Sequence, residues 1–302
     1  MTQSIKLIYI YYQVCDMYNS YLEKNVVRFN SNKQEGQITD QELLCIYLFC
    51  TIEEEKFQKK SMHKCILNHW HSWFPNLPSY QTFNDRMNRL APVFPVILMD
   101  ILEQLNLPSN PNILLGDSLP IITCSAKRKP KVAMHMVSKD YCASKNLWYY
   151  GLRLHSLAEQ SLQNSLPHPI YLQIQTAAQH DLDAMRPVLD NVENAIIALD
   201  KAYCDQPLKE RLVEQNNTLL FTPEKTRKGE SVWQKQDRKA YRDLLNTAVA
   251  KIRQPIESLF SWMDRKVGLQ KASTVRSEKG LLLHVYAKVA AAFLSKLPMF
   301  NP

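Results

Sequence analysis

Two short stretches constrain this chain more than any other feature. "NILLGDSLPI" (112–121) runs through Ile113-Leu114-Leu115 and then places a carboxylate, Asp117. "NAIIALDKAY" (194–203) repeats the design, with Ile196-Ile197-Ala198-Leu199 ahead of Asp200. Short apolar runs bounded by turn residues read as buried strands. A buried, unpaired carboxylate is expensive. Either each acid has its own partner, or the two meet and share something positive. In an open α/β sheet, sites form at strand ends. If the two strands are neighbours, Asp117 and Asp200 converge and a cation must neutralise them. Hard oxygen ligands without a His or Cys cluster select Mg²⁺ or Mn²⁺.

A third acid would complete a two-metal site, with ions roughly 3.5–4 Å apart. The best candidate is Glu257, in "KIRQPIESLFSWMDRK" (251–266). Ile256, Leu259, Phe260 and Met263 form a stripe at the spacing of one helix face. Glu257 lies at the edge of that stripe. Arg253, one turn earlier, can steady the glutamate or hold a phosphate. Pro255 fits the first turn of a new helix, or a kink in a longer one. Taken singly, a strand-end Asp is more often a turn residue and a helical Glu is usually solvated. The three in the order Asp–Asp–Glu are more specific.

The chain has 302 residues, 45% of them hydrophobic, enough for about two domains with real cores. Residues 1–106 read as a helical domain. "DQELLCIYLFCTIEEEKF" (40–57) has Asp40 as its N-cap, and "SMHKCILNHWHSWF" (61–74) is a second amphipathic stretch. "PNLP" (75–78) breaks the chain, and Ser79 caps "SYQTFNDRMNRLAPVF". Two helices across a short Pro-containing turn fit a helix-turn-helix. Its second helix would offer Gln81, Asn84, Arg86 and Arg89 to bases and phosphates. The alternative is a solvated face of a small bundle.

"LPSNPN" (107–112) reads as a linker, and the pattern then changes. Strands fit 112–116, 121–124, 147–157, 170–176, 195–200 and 218–222. Helices fit 181–192, 206–215, about 237–265 and 281–297. Residues 107–302 are therefore expected to form an α/β sheet covered by helices.

Composition excludes several classes. Only 6 glycines are present and no Gly-rich phosphate loop occurs. Seven scattered cysteines without a C-x-x-C fit a reducing cytoplasm rather than a disulfide framework. No apolar run approaches the ~20 residues of a spanning helix, and "MTQSIKLIYIYYQVC" lacks signal-peptide features. Cys65, His69 and His71 lack a fourth zinc ligand and fit packing better. The net charge of +8 is a weak vote for a polyanionic partner. Basic residues also cluster where the acids are. "SAKRKPK" (125–131), with Lys127, Arg128 and Lys129, follows the first aspartate strand. The segment 223–253 holds nine Lys/Arg against four Asp/Glu. Lys201, beside Asp200, is a candidate phosphate contact.

These residues resemble a known family. "GDSLPIITC" (116–124) resembles the Asp-Ser-x-Pro segment of DDE-type bacterial insertion-sequence transposases, whose catalytic domain is RNase H-like. "WYYGLRLHSL" (148–157) resembles their Tyr-Gly-x-Lys-Leu-His strand, with Arg153 where lysine is usual. "TAAQHDLDAMRPVL" (176–189) resembles the Thr-x-x-x-His-Asp segment. "ALDKAY" (198–203) resembles Asp-Lys-Gly-Tyr, with Ala202 where glycine is common. "RQPIESLFS" (253–261) resembles the Arg-x-x-x-Glu part of a Tyr-Arg-Glu-Lys signature. Within these transposases the resemblance is nearest to the insertion-sequence family numbered nine-eight-two.

The resemblance implies that Asp117, Asp200 and Glu257 are catalytic and bind two Mg²⁺ (or Mn²⁺) ions. It makes Arg253 the matched basic residue. Ala250 and Asp264 stand where the signature has Tyr and Lys, and Arg265 and Lys266 are the nearby cations that would substitute. It further implies cleavage at inverted repeats, strand transfer into target DNA, a homodimer on double-stranded DNA and a place at the bacterial nucleoid. His155 and His180 fit core or helix-capping roles better than general-base roles. The alternatives are a catalytically inactive DNA-binding relic or regulator, and an RNase H-like nuclease.

Overall fold

The computed structural model describes residues 2–26, 37–105, 109–127, 133–162, 166–224, 231, 233, 236, 239–298 and 300. The chain divides into two units. Met1–Asn106, Lys131–Ala133 and Met263–Pro302 form one, and Leu107–Pro130 with Met134–Trp262 form the other. The segment from Met263 onward, expected with the sheet, thus clusters with the N-terminal helices.

The helical unit begins with α1 (Gln3–Ser20), which buries Leu7, Ile10, Val14, Met17 and Tyr18 at helical spacing. Helix α2 (Asp40–Ile52) is buried along Leu43–Ile52. Its N-cap is Thr39 rather than Asp40. The Thr39 hydroxyl accepts from the Glu42 N–H at 3.1 Å while the Glu42 carboxylate accepts from the Thr39 N–H at 2.6 Å, a reciprocal capping box. The helix stops at Ile52, short of the expected 57, and Glu55 takes a left-handed φ of 51°.

Helices α3 (Lys59–His69) and α4 (Tyr80–Arg89) follow. The connection between them spans 70–79, longer than the short turn expected of a helix-turn-helix. Ser79 caps α4, as its side chain accepts from Thr82 N–H at 3.5 Å. Helix α5 (Phe94–Leu105) completes the N-terminal set.

The sheet unit starts at Ser109, inside the expected linker. Strand β1 (Ser109–Ser125) is continuous where two strands were expected. Pro120, in its middle, pairs with Arg153 on one side, while parallel pairing on the other side stops at Leu115. That leaves an uncovered edge, which a residue without an N–H tolerates. Strand β2 (Ser138–Cys142), not expected, forms a hairpin with β3 (Leu147–Ser161). The remaining elements are β4 (His168–Thr176), α6 (Asp181–Leu189), β5 (Ile196–Ala198), α7 (Gln206–Asn216) and β6 (Leu219–Phe221). The long α8 (Lys239–Val267) has its last residues, from Met263, in the helical unit.

The strand order is β2-β3-β1-β5-β6, with β4 sharing the outer edge of β3. β1, β3 and β4 are antiparallel neighbours, and β5 and β6 continue from β1 in parallel. One face packs Leu114, Leu157, Ile197 and Leu199 against Leu182, Met185 and Leu189 of α6 and Leu208 and Leu212 of α7. The fold is α/β, a mixed sheet flanked by helices after a helical region, as the RNase H-like expectation requires.

After α8 the chain forms α9 (Glu278–Leu282), a π-helical turn (Leu283–Ala287) and α10 (Lys288–Leu294). α10 is buried throughout and packs on α2 and α5. Among the described residues no helix is long and apolar enough to cross a membrane.

Candidate active site

The register of two strands brings the aspartates together. β1 and β5 pair in parallel, Ile113 with Ile196, Leu114 with Ile197 and Leu115 with Ala198. Asp117 and Asp200 each stand two residues beyond the last of these pairs. Side chains alternate with period two, so both acids occupy equivalent positions on the face that carries Leu115 and Ala198. Asp200 keeps extended backbone, φ −73° and ψ 168°, before the 3₁₀ turn Lys201–Tyr203. Gly116 leaves room for the buried Leu199 side chain, because a Cβ there would overlap Leu199 Cδ2.

α8 supplies the other two groups. Arg253 Nη1 donates to Asp117 Oδ2 at 2.6 Å, and its Nη2 donates to Glu257 Oε1 at 2.7 Å. Arg253 and Glu257 are one turn apart on the same helix. Pro255 lies between them inside continuous helix. It removes the N–H that would bond the Lys251 carbonyl. Glu257 is 56% exposed, whereas Asp117 is 21% exposed.

Burial pushes the Asp117 carboxyl up to about 6. Arg253 and the Ser118 N–H hold it down, and the negative fields of Asp200 and Glu257 raise it again. The three acids therefore feel one another, and a cation near Asp117 would relieve all of them. The donor chemistry fits a divalent cation that prefers oxygen. Among the described residues no three His, Cys, Asp or Glu side chains stand in a metal-holding arrangement, and Arg253 supplies the positive charge between two of the acids.

Residues 108–294 match the family described as the Transposase DDE domain. The chain belongs to this family. The match is to the DDE domain as a whole and singles out no one insertion-sequence family. No curated protein and no solved structure matches the chain. Membership makes it an enzyme-family protein of the transposase or nuclease type that acts on DNA.

A second polar network lines the opposite face of this DDE domain's sheet. Arg153 on β3 donates to Asp140 on β2 and to Asp181 at the start of α6, so the arginine in the lysine position is fully engaged. His155 pairs in register with Ser118, and its Nδ1 is 3.9 Å from Asp181. Burial lowers the His155 pKa to about 4, so the ring is neutral at pH 7. Tyr203 is buried, and its hydroxyl pKa is raised by burial first, then by Asp181 and Asp117. Sequence reasoning missed Asp140 because β2 itself was not anticipated. Asp181 was visible only as part of the His-Asp segment. His180 caps α6, accepting from the Leu182 N–H at 3.3 Å.

The other anticipated DNA contacts separate. Lys201 and Lys127 are exposed on the sheet unit. Arg128 and Lys129 lie outside the described residues. Gln81 and Arg89 are exposed on α4, and Asn84 is half-buried, donating to Asp85. Arg86 departs from the expectation. It pairs with Asp40 at 2.6 Å and also donates to the Ile38 carbonyl, so it ties α4 to the start of α2. Arg265 and Lys266 end α8 in the helical unit. Asp264, in the signature lysine position, accepts from the Gln270 N–H at 2.8 Å. Cys65 is buried and contacts Glu54 at 3.5 Å.

Proposed function

We propose that this protein is a transposase that cuts DNA at the inverted repeats of its own element and joins the freed end to target DNA. The observation that carries this reading is the equivalent placement of Asp117 and Asp200 on parallel neighbours, with Glu257 linked to Asp117 through Arg253. Asp117, Asp200 and Glu257 would hold two Mg²⁺ or Mn²⁺ ions. Such ions supply an activated water and charge stabilisation for the departing oxygen.

The chain's own groups do the rest by positioning. Arg253 exchanges a carboxylate for a non-bridging phosphate oxygen when DNA enters. Lys201 and Lys127 fix neighbouring phosphates, and exposed residues of α4 contact the repeat. Water adds to phosphorus, the bond to the 3′ oxygen breaks, and the proton taken up leaves a 3′-OH. The same centre then orients that 3′-OH toward a target phosphodiester, whose own 3′ oxygen departs. No protein–DNA covalent bond forms. We further infer a homodimer on double-stranded DNA, acting in the cytoplasm at the nucleoid.

The test is cleavage of labelled DNA bearing the repeats that flank the gene. Mg²⁺-dependent cutting is expected from the wild type and is lost with chelator. It is also lost in Asp117→Asn, Asp200→Asn and Glu257→Gln, with DNA binding kept. The second reading is a DNA-binding relic, favoured by Arg253 pairing with both Asp117 and Glu257. Binding without cutting in the wild type would establish it.

A further inference from the structure

The β2–β3 hairpin carries an aromatic pair that the chemistry above does not use. Trp148 is 55% exposed and Tyr141 39% exposed. They are cross-strand partners whose ring centroids lie 5.2 Å apart. Lys139 Nζ sits 5.1 Å above the Trp148 ring. Lys139 pairs in register with Tyr150, so Lys139, Tyr141, Trp148 and Tyr150 share one face. A rigid frame holds them. The turn closes through Asn146 in the left-handed region, and the Tyr141 hydroxyl donates to Asn146 Oδ1 at 2.6 Å. On the opposite face, fully buried Tyr149 anchors the hairpin.

The charge on this surface has one sign. Lys139 and Lys145 are exposed. The hairpin's acid, Asp140, points to the other face, where Arg153 and Tyr149 donate to it. Lys127 lies alongside, because the Ala126 N–H bonds the Trp148 carbonyl at 2.8 Å. Aromatic rings interleaved with cations suit single-stranded nucleic acid, whose bases offer bare π-faces. The ring pair is too small for a stable protein interface.

Its position relative to the acids is set by strand periodicity. Trp148 and Ser156 are both even-numbered residues of β3, and Ser156 pairs with Asp117. The aromatic face and Asp117 are therefore on the same side of the sheet. Trp148 and Ser156 are eight steps apart along β3, a span of about 26 Å.

We propose that this hairpin is a ledge that stacks an unpaired base on Trp148, with Lys139 and Lys145 on the adjoining phosphates, about 26 Å along the sheet from the acids. The proposal rests on the transposase reading for its DNA, and adds a contact that reading lacks.

Fluorescence anisotropy with labelled oligo-dT and with a labelled duplex, in chelator so that nothing is cut, tests it on the full chain. Trp148→Ala is expected to weaken oligo-dT binding about five- to hundredfold. Trp148→Phe keeps a ring and should bind within a few-fold of the wild type. Lys139→Gln should lower the salt slope by about 0.7. Duplex binding should change less in all three. Unchanged oligo-dT affinity in Trp148→Ala would overturn the ledge while leaving the transposase reading intact. A loss of dimer in that variant, seen by sedimentation, would also overturn it and make the pair a contact between copies. A wild type that binds neither DNA would overturn both.

Discussion

In the helical unit, His284 and Lys288 are buried, and each reaches a carbonyl where α8 ends. His284 Nε2 lies 2.8 Å from the Leu269 oxygen, and Lys288 Nζ donates to the Gly268 oxygen at 2.8 Å. In the sheet unit, His155, Ser156 and Tyr203 are also buried, yet His155 Nδ1 and Nε2, Ser156 Oγ and the Tyr203 hydroxyl find no hydrogen-bond partner. The first pair does structural work, supplying donors to a helix C-terminus that lacks them. The second set adjoins the candidate acids. Ser156 pairs with Asp117, His155 with Ser118, and Tyr203 closes the turn after Asp200. Buried polar atoms without partners are rare and need a reason. The contrast is between these two sets of side chains: the first closes the end of a helix, and the second lies along the strands and turn that carry the acids.

The largest effect that sharpens this contrast is on cleavage. Asp117→Asn or Asp200→Asn should lower cleavage on the order of 10³-fold or more, with a melting temperature within a few degrees of the wild type. A large fall in melting temperature with residual cleavage would make these acids structural, and the contrast would collapse.

Gly116→Ala comes next. The added Cβ would overlap Leu199 Cδ2, so the buried Leu199 side chain must shift within the core beside Asp200. A loss of about 1–3 kcal/mol is expected, with cleavage falling further than stability alone explains. Urea unfolding beside single-turnover kinetics separates the two losses.

The helical unit should reveal itself through pH. Burial, and then the Lys288 charge, lower the His284 pKa to about 3. Below an unfolded value near 6.5, the unfolded chain takes up a proton that the folded chain refuses. Stability must therefore fall as pH drops from about 6.5 toward 3, by about 2 kcal/mol at pH 5. His284→Gln should remove its share of this limb in a plot of urea midpoint against pH, and buried His155, lowered to about 4, keeps the rest. An identical acid limb in that variant would remove His284 from the account.

The smallest effect is at the capping box. Thr39→Ala should cost about 1 kcal/mol, read as a shifted urea midpoint, and leave cleavage per folded molecule unchanged.

Much of the sheet was legible because its strands carry apolar and aromatic residues at strand spacing, with turn residues beside them. β3, β4, β5 and β6 appear close to their expected places for that reason. β2 was not, since "SKDYC" has little apolar content and becomes a strand only by pairing with β3. Pro120 divided β1 in the reading, because a proline normally ends a central strand. Only the three-residue length of β5 shows that its edge is uncovered there. Arg86 looked like a DNA contact, because an arginine on a polar helix face has no visible partner. Asp40, its partner, is remote in sequence.

The amino-acid sequence by itself determined which residues can carry charge at strand ends, roughly where the helices lie, and the Asp–Asp–Glu order that family membership now frames. These are local properties of spacing, capping and burial preference. Tertiary structure alone decided that β1 and β5 are parallel neighbours in a register that puts Asp117 level with Asp200. It also decided that Arg253 reaches both Asp117 and Glu257, and that Met263–Pro302 joins the N-terminal helices. These depend on pairings across tens to hundreds of residues, where the partner is chosen by packing and hydrogen-bond satisfaction over the whole unit rather than by any pattern within one segment.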